Sequence, residues 1–104
     1  APVVEAFAPT WLLVSAGFDA HRADPLTGLA LSSGDFADLT LRVLEYAPPG
    51  RRVLFLEGGY DLEALAASSG ACVAALVGRD HRPEPATSGG PGMDVVEAAT
   101  HLLD

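Results

Sequence analysis

The sequence predicts an α/β fold built on a parallel sheet, and three observations carry that prediction. Two short apolar runs, Trp11–Ala16 and Arg52–Leu56, have the length and continuity of strands covered on both faces. A stretch with helical period lies between them and another follows the second run, so the order is strand, helix, strand, helix. Each run ends in a polar loop containing glycine, and α/β sheets take their ligands beyond the carboxyl ends of the strands. The two loops, 17–28 and 57–61, are therefore expected to open on the same edge of the sheet.

The elements follow in order. The chain opens Ala1-Pro2-Val3-Val4 without Met, a start expected of a processed chain or of a piece of something longer. Pro9-Thr10 punctuates the first strand, and Gly17–Gly28 is a long loop rich in Asp, His and Arg. The first helix is expected to begin near Ser33-Gly34, with a Ser N-cap, Asp35 in the first turn and Phe36, Leu39, Val43 and Leu44 on its buried face. Pro48-Pro49-Gly50 stops it. After the second strand, Asp61 is placed as an N-cap, with Leu62, Leu65, Ala66, Ser69, Val73 and Leu76 turned inward and Gly78 as a C-cap. Residues 79–92, with three prolines and a Gly89-Gly90 pair, read as a loop or linker without periodicity. A last helix over 93–103 carries Val95, Val96, Ala99, Leu102 and Leu103 on one face.

Composition bounds the function. At 104 residues and 49% hydrophobic, the chain fits one small domain and is too apolar for intrinsic disorder. Fourteen acidic residues against six basic ones, all Arg, give a net charge of -8 and argue against direct nucleic-acid binding. No apolar run reaches the roughly 18 to 20 residues of a membrane-spanning helix. The N-terminus lacks the pattern of a signal peptide, and a single Cys permits no internal disulfide. These features describe a soluble, acidic, cytoplasmic polypeptide, in which the charge serves ordinary solubility.

The candidate residues sit on the two loops. Asp19-x-His21 offers a carboxylate and an imidazole, both of which bind zinc at about 2.0 to 2.2 Å. On spacing alone, an Asx-turn at Asp19 and a surface His21 is the simpler reading. Asp24-Pro25 reads as a turn. Gly58-Gly59 would let the backbone approach a ligand, with Tyr60 donating a hydrogen bond into a cleft, or would simply form a strand-to-helix turn with Tyr60 as a packed aromatic. Cys72 is expected to be a small buried hydrophobe, Trp11 and Tyr46 to pack in the core or at its edge, and His81 and His101 to carry no function.

Taken together, Leu13–Gly28 (LVSAGFDAHRADPLTG) and Leu56–Leu62 (LEGGYDL) closely resemble the histone deacetylase and acetylpolyamine amidohydrolase family, its bacterial, class II-like members above all. The resemblance covers residues 11 to 77. It implies an arginase-like, three-layer α/β/α fold with a parallel sheet flanked by helices, and a catalytic zinc or other divalent metal such as iron at the bottom of a narrow tunnel. It makes Asp19 a metal ligand, Tyr60 the stabiliser of the oxyanion, Leu26 part of the acyl tunnel, and Gly58 and Gly59 its wall. It does not make His21 a ligand. The implied reaction removes acetyl groups from an acetylated amine, N-acetyl-lysine in a protein or an acetylpolyamine.

The family also needs a tandem His pair and two further metal ligands, and no such motif occurs in these 104 residues. The chain is accordingly expected to be the C-terminal third of a deacetylase catalytic domain, inactive by itself. The rival expectation is a non-catalytic truncated α/β module used for protein binding.

Overall fold

A computed structural model of the chain describes residues 1–103. Its elements are α1 (Pro2–Phe7), β1 (Leu12–Ala16), α2 (Ser33–Leu44), β2 (Arg52–Leu56), α3 (Leu62–Leu76) and α4 (Met93–Leu103). No described helix is long and apolar enough to cross a membrane. β1 and β2 pair in parallel, from Leu12 opposite Arg52 to Ala16 opposite Leu56. Helix α2 is the crossover between them, so the α/β reading and its parallel sheet hold.

Helix α1 is absent from the sequence expectations. Six residues are too few to display a period; Pro2 sits in its first turn, and Ala8, in the left-handed region at φ 54°, ends it. Helix α2 starts at Ser33 as expected, set by a capping box on its N-cap Ser32. The Ser32 side chain accepts from the Asp35 N–H at 3.3 Å, and the Asp35 carboxylate accepts from the Ser32 N–H at 2.8 Å. In α3, Asp61 caps as expected by accepting from the Ala64 N–H at 2.9 Å, and Gly78 follows the C-cap Val77 with φ +76°.

The buried faces differ from those expected. Helix α2 buries Phe36, Ala37, Thr40 and Leu44, while Leu39 is exposed. Helix α3 buries Ala64, Ser68, Ala71, Cys72 and Ala75, and leaves Leu62 and Val73 exposed. The two helices pack on each other, and small side chains at the contact let their axes approach. The strands also differ. Leu13, Ser15 and Phe55 are exposed, so the sheet is covered on one face rather than two. The covering layer is α2 with α3, centred on Phe18, Phe36 and Cys72. The Phe18 and Phe36 rings meet edge-to-face with centroids 5.0 Å apart, a contact worth about 0.5 to 1.5 kcal/mol beyond its area. Cys72 is buried as expected, and burial pushes its thiol up, with Thr40 Oγ1 only 3.0 Å from Sγ opposing the shift. Trp11 lies exposed rather than packed in the core.

Residues 79–92 are irregular, as expected of a proline-rich segment, but they fold back as a strap over the N-terminus of α2. Glu84 N–H donates to Ser33 Oγ at 3.1 Å, Ser32 Oγ donates to the Pro85 carbonyl at 2.6 Å, and the Thr87 N–H donates to Asp35 at 2.8 Å. Arg82 adds an ion pair to Asp38 at 2.7 Å. Gly34 is what lets the strap lie so close: a Cβ there would fall 2.5 Å from the Ala86 nitrogen. Helix α4 forms over the expected residues, yet Val95, Val96 and Leu102 on its apolar face are exposed. The expected place of the Leu103 side chain on that face lies outside the described residues.

Candidate functional site

The two motif loops do open on one edge of the sheet and touch each other there. As the strands end, the Glu57 N–H donates to the Ala16 carbonyl at 3.0 Å and the Phe18 N–H donates to the Gly58 carbonyl at 3.0 Å, which carries the parallel ladder one step into both loops. Ser15 Oγ donates to the Glu57 carboxylate at the same edge. The first loop then closes on itself. The Leu31 N–H donates to the Ala20 carbonyl at 3.1 Å, and the Arg22 N–H donates to the Leu31 carbonyl at 2.8 Å. Thr27 Oγ1 donates to the Asp19 carbonyl at 2.5 Å across it.

Gly58 and Gly59 both adopt positive φ, +108° and +118°, a conformation that side-chain-bearing residues rarely hold. A Cβ on Gly58 would lie 3.4 to 3.5 Å from the Asp19 carboxylate, and one on Gly59 would lie 3.1 Å from Phe18 Cβ. Gly58 is therefore a surface against which the Asp19 carboxylate rests, and Gly59 one against which Phe18 and Leu65 rest. The Asp19 carboxylate itself accepts no hydrogen bond from the described residues, which leaves its lone pairs free for a ligand. Tyr60 follows at once and is 57% exposed, so the packed-aromatic alternative does not hold. Leu26 is 68% exposed. One residue ties these last two together: Asp24, 6% exposed, accepts from the Leu26 N–H at 2.8 Å and from the Tyr60 N–H at 2.9 Å.

A metal can be tested against these donors. Asp19 suits one position in a coordination sphere, since its oxygens are unengaged. Among the described residues no group of three His, Cys, Asp or Glu side chains converges, and a catalytic zinc takes three protein ligands. Asp19 is thus one ligand at most of a site that this set does not complete. Nor do Asp19, Leu26 and Tyr60 line a described cavity. A cleft of about 180 Å³ opens between Val14, Phe18, Phe36 and Leu54, and another of about 300 Å³ lies beside His21, Asp61, Glu63 and Glu84.

His21 is not the surface residue that spacing suggested. It is 3% exposed, with both ring nitrogens engaged by protein. Nδ1 accepts from the Ala23 N–H at 3.0 Å, so the proton belongs on Nε2, which donates to Glu84 Oε1 at 2.7 Å. The Ser33 N–H at 3.0 Å and Arg22 Nη2 at 2.8 Å complete the set of donors around Glu84. These bonds, from His21 first and then Ser33, outweigh partial burial and hold the Glu84 carboxyl down to about 2. Asp24 and Glu84 are the residues that sequence reasoning missed. An Asp-Pro pair announces a turn but not the second oxygen's reach, and Glu84 stands in a stretch without any period.

The histone deacetylase domain family model matches residues 1–76. Chloroplastic histone deacetylase 10 of Oryza sativa subsp. japonica is 51% identical over 71 residues, 65% of this chain and 16% of the relative. Human histone deacetylase 9 is 39% identical over 99% of this chain and 10% of the relative, and a probable deacetylase of Methanothermobacter thermautotrophicus is 42% identical over 85% and 26%. The chain thus spans between a tenth and about a quarter of the length of these relatives, which come from a plant, an animal and an archaeon. Among solved structures, the HD domain of HDA15 superposes with a TM-score of 0.79 at 30% identity, covering 97% of this chain and 27% of that one. The histone deacetylase Clr3 gives a TM-score of 0.76 at 30% identity, covering 97% and 16%.

Proposed function

The chain belongs to the histone deacetylase family, with its arginase/deacetylase fold, and from that premise we propose that it forms one edge of the active site of a metal-dependent amidohydrolase. The reaction would remove acetyl groups from an acetylated amine, either N-acetyl-lysine in a protein or an acetylpolyamine. The observation that carries this reading is the meeting of the two motif loops, which sets the free Asp19 carboxylate against Gly58 and ties the Tyr60 backbone to Asp24 of the same loop as Asp19.

A bound divalent cation, zinc or iron, supplies Lewis-acid polarisation of the acetyl carbonyl and a water of lowered pKa. Asp19 would hold that cation through its carboxylate, together with ligands from outside the described residues. The Tyr60 phenol would donate to the carbonyl oxygen as it gains negative charge, an interaction stronger in the transition state than in the bound substrate. Leu26 and the glycine pair would pack along the acyl chain and exclude water from it. Proton transfer to the departing amine would fall to the histidine pair that the family resemblance implies, which these residues do not contain.

In the full-length enzyme, Tyr60→Phe should lower turnover about 10²- to 10³-fold, the usual loss of one oxyanion donor, with metal content unchanged. Near-normal turnover would remove Tyr60 from the mechanism. Asp19→Ala should lose the metal, measured by elemental analysis of the purified protein; full stoichiometry in that variant defeats the ligand assignment.

A further inference from the structure

We propose that Asp24 is a positioning residue whose buried carboxylate sets where the Tyr60 phenol stands relative to Leu26. The catalytic meaning of that placement rests on the reading of Tyr60 given above; the anchor itself rests on geometry alone. Asp24 is 6% exposed, and no basic side chain pairs with it among the described residues. A carboxylate withdrawn from water in this way needs donors, and hydrogen bonds to a charged acceptor are the strong kind. It has two, one for each oxygen. Oδ1 accepts from the Leu26 N–H, the local bond that an Asp-Pro turn makes unaided. Oδ2 accepts from the Tyr60 N–H, across 36 residues of sequence, and no turn requires that.

Tyr60 needs such an anchor. It follows two glycines at φ +108° and +118°, which impose little restraint of their own. Its side chain is 57% exposed, so packing does not fix it either. On the other side Asp61 is committed to capping α3. Between the Gly58 carbonyl, held by the Phe18 N–H, and that cap, the bond to Asp24 is the described polar contact that fixes the backbone. The same carboxylate holds the Leu26 backbone, so both residues are tied to one buried point.

Asparagine is the informative replacement, because it keeps the shape but offers one acceptor where two are needed. In the full-length enzyme, Asp24→Asn should lower kcat about 10- to 100-fold, the scale of loss when a catalytic group shifts by about an ångström, with metal content unchanged. The decisive measurement pairs it with Tyr60→Phe. If Asp24 acts through the phenol, the double variant should turn over within a few-fold of Tyr60→Phe alone, since the hydroxyl being positioned is already gone. Losses that multiply in the double variant, or an undiminished kcat in Asp24→Asn, overturn the proposal. Should Asp24→Asn fail to fold, amide hydrogen exchange on the wild-type full-length protein reads the anchor without mutation. The Tyr60 N–H should be protected, and exchange at the rate of an open loop would sink the idea. Full activity in Tyr60→Phe is a different result: it defeats the functional reading, while protection of that amide would still report the anchor.

Discussion

At Glu84 the contest between burial and hydrogen bonding is won by the bonds. Three donors, the His21 imidazole, the Ser33 N–H and the Arg22 guanidinium, converge on one carboxylate and hold it down to about 2, below the ordinary glutamate value of 4.5. A carboxyl depressed in the folded state stabilises the fold in its charged form. That contribution is fully present above about pH 4.5 and is lost as pH falls from there toward 2. Urea midpoints measured against pH should therefore show wild type above Glu84→Gln at neutral pH, with the two converging near the bottom of that window. A constant gap across it would mean that the charge is not what matters. Asp35 follows the same direction: burial works against it, but bonds from Thr87 and Ser32 prevail and lower its pKa. At Asp19 and Tyr60 the residue scale is about availability instead, one oxygen pair left free and one phenol left in solvent.

Among the elements, the strap and α2 depend on each other through Gly34. Gly34→Ala would drive a methyl group to 2.5 Å from the strap backbone, which cannot yield as a flexible side chain would. The expected cost is about 1 to 3 kcal/mol, as for overpacked sites, and limited proteolysis should cut residues 79–92 faster in the variant. Unchanged cutting would mean that the strap is not seated there. Helix and strand order was readable from the sequence because apolar runs and caps are local signals. Ser32, Asp35 and Asp61 cap as composition suggests, and Arg52–Leu56 is a strand over the expected residues. The buried face of α3 was not readable. Hydrophobicity favoured Leu62 and Val73, whereas the contact with α2 selects Ala64, Ser68, Ala71 and Cys72 for their small size. The meeting of Asp19 with Gly58 could be expected from the common edge of a parallel sheet, but the two long reaches, Asp24 to Tyr60 and Glu84 to His21, exist only in three dimensions.

The whole molecule presents a two-stranded sheet with Leu13, Phe55 and Leu56 exposed, and an α4 whose Val95, Val96 and Leu102 are also open. Exposed apolar surface of this kind favours association. The 104-residue chain by itself should bind a hydrophobic dye, self-associate and melt over a broad range. A sharp two-state transition from a monomer would show instead that these elements stand alone. The strap brings a last matter, that of time. Glu84 is made 63 residues after His21, so during synthesis on the ribosome the loop bearing Asp19 emerges long before its latch. Until then the His21 ring and the first N–H groups of α2 lack their carboxylate. A chain ended between residues 77 and 83 would carry every motif residue and both strands, yet lack the carboxylate that holds His21 and the first turn of α2.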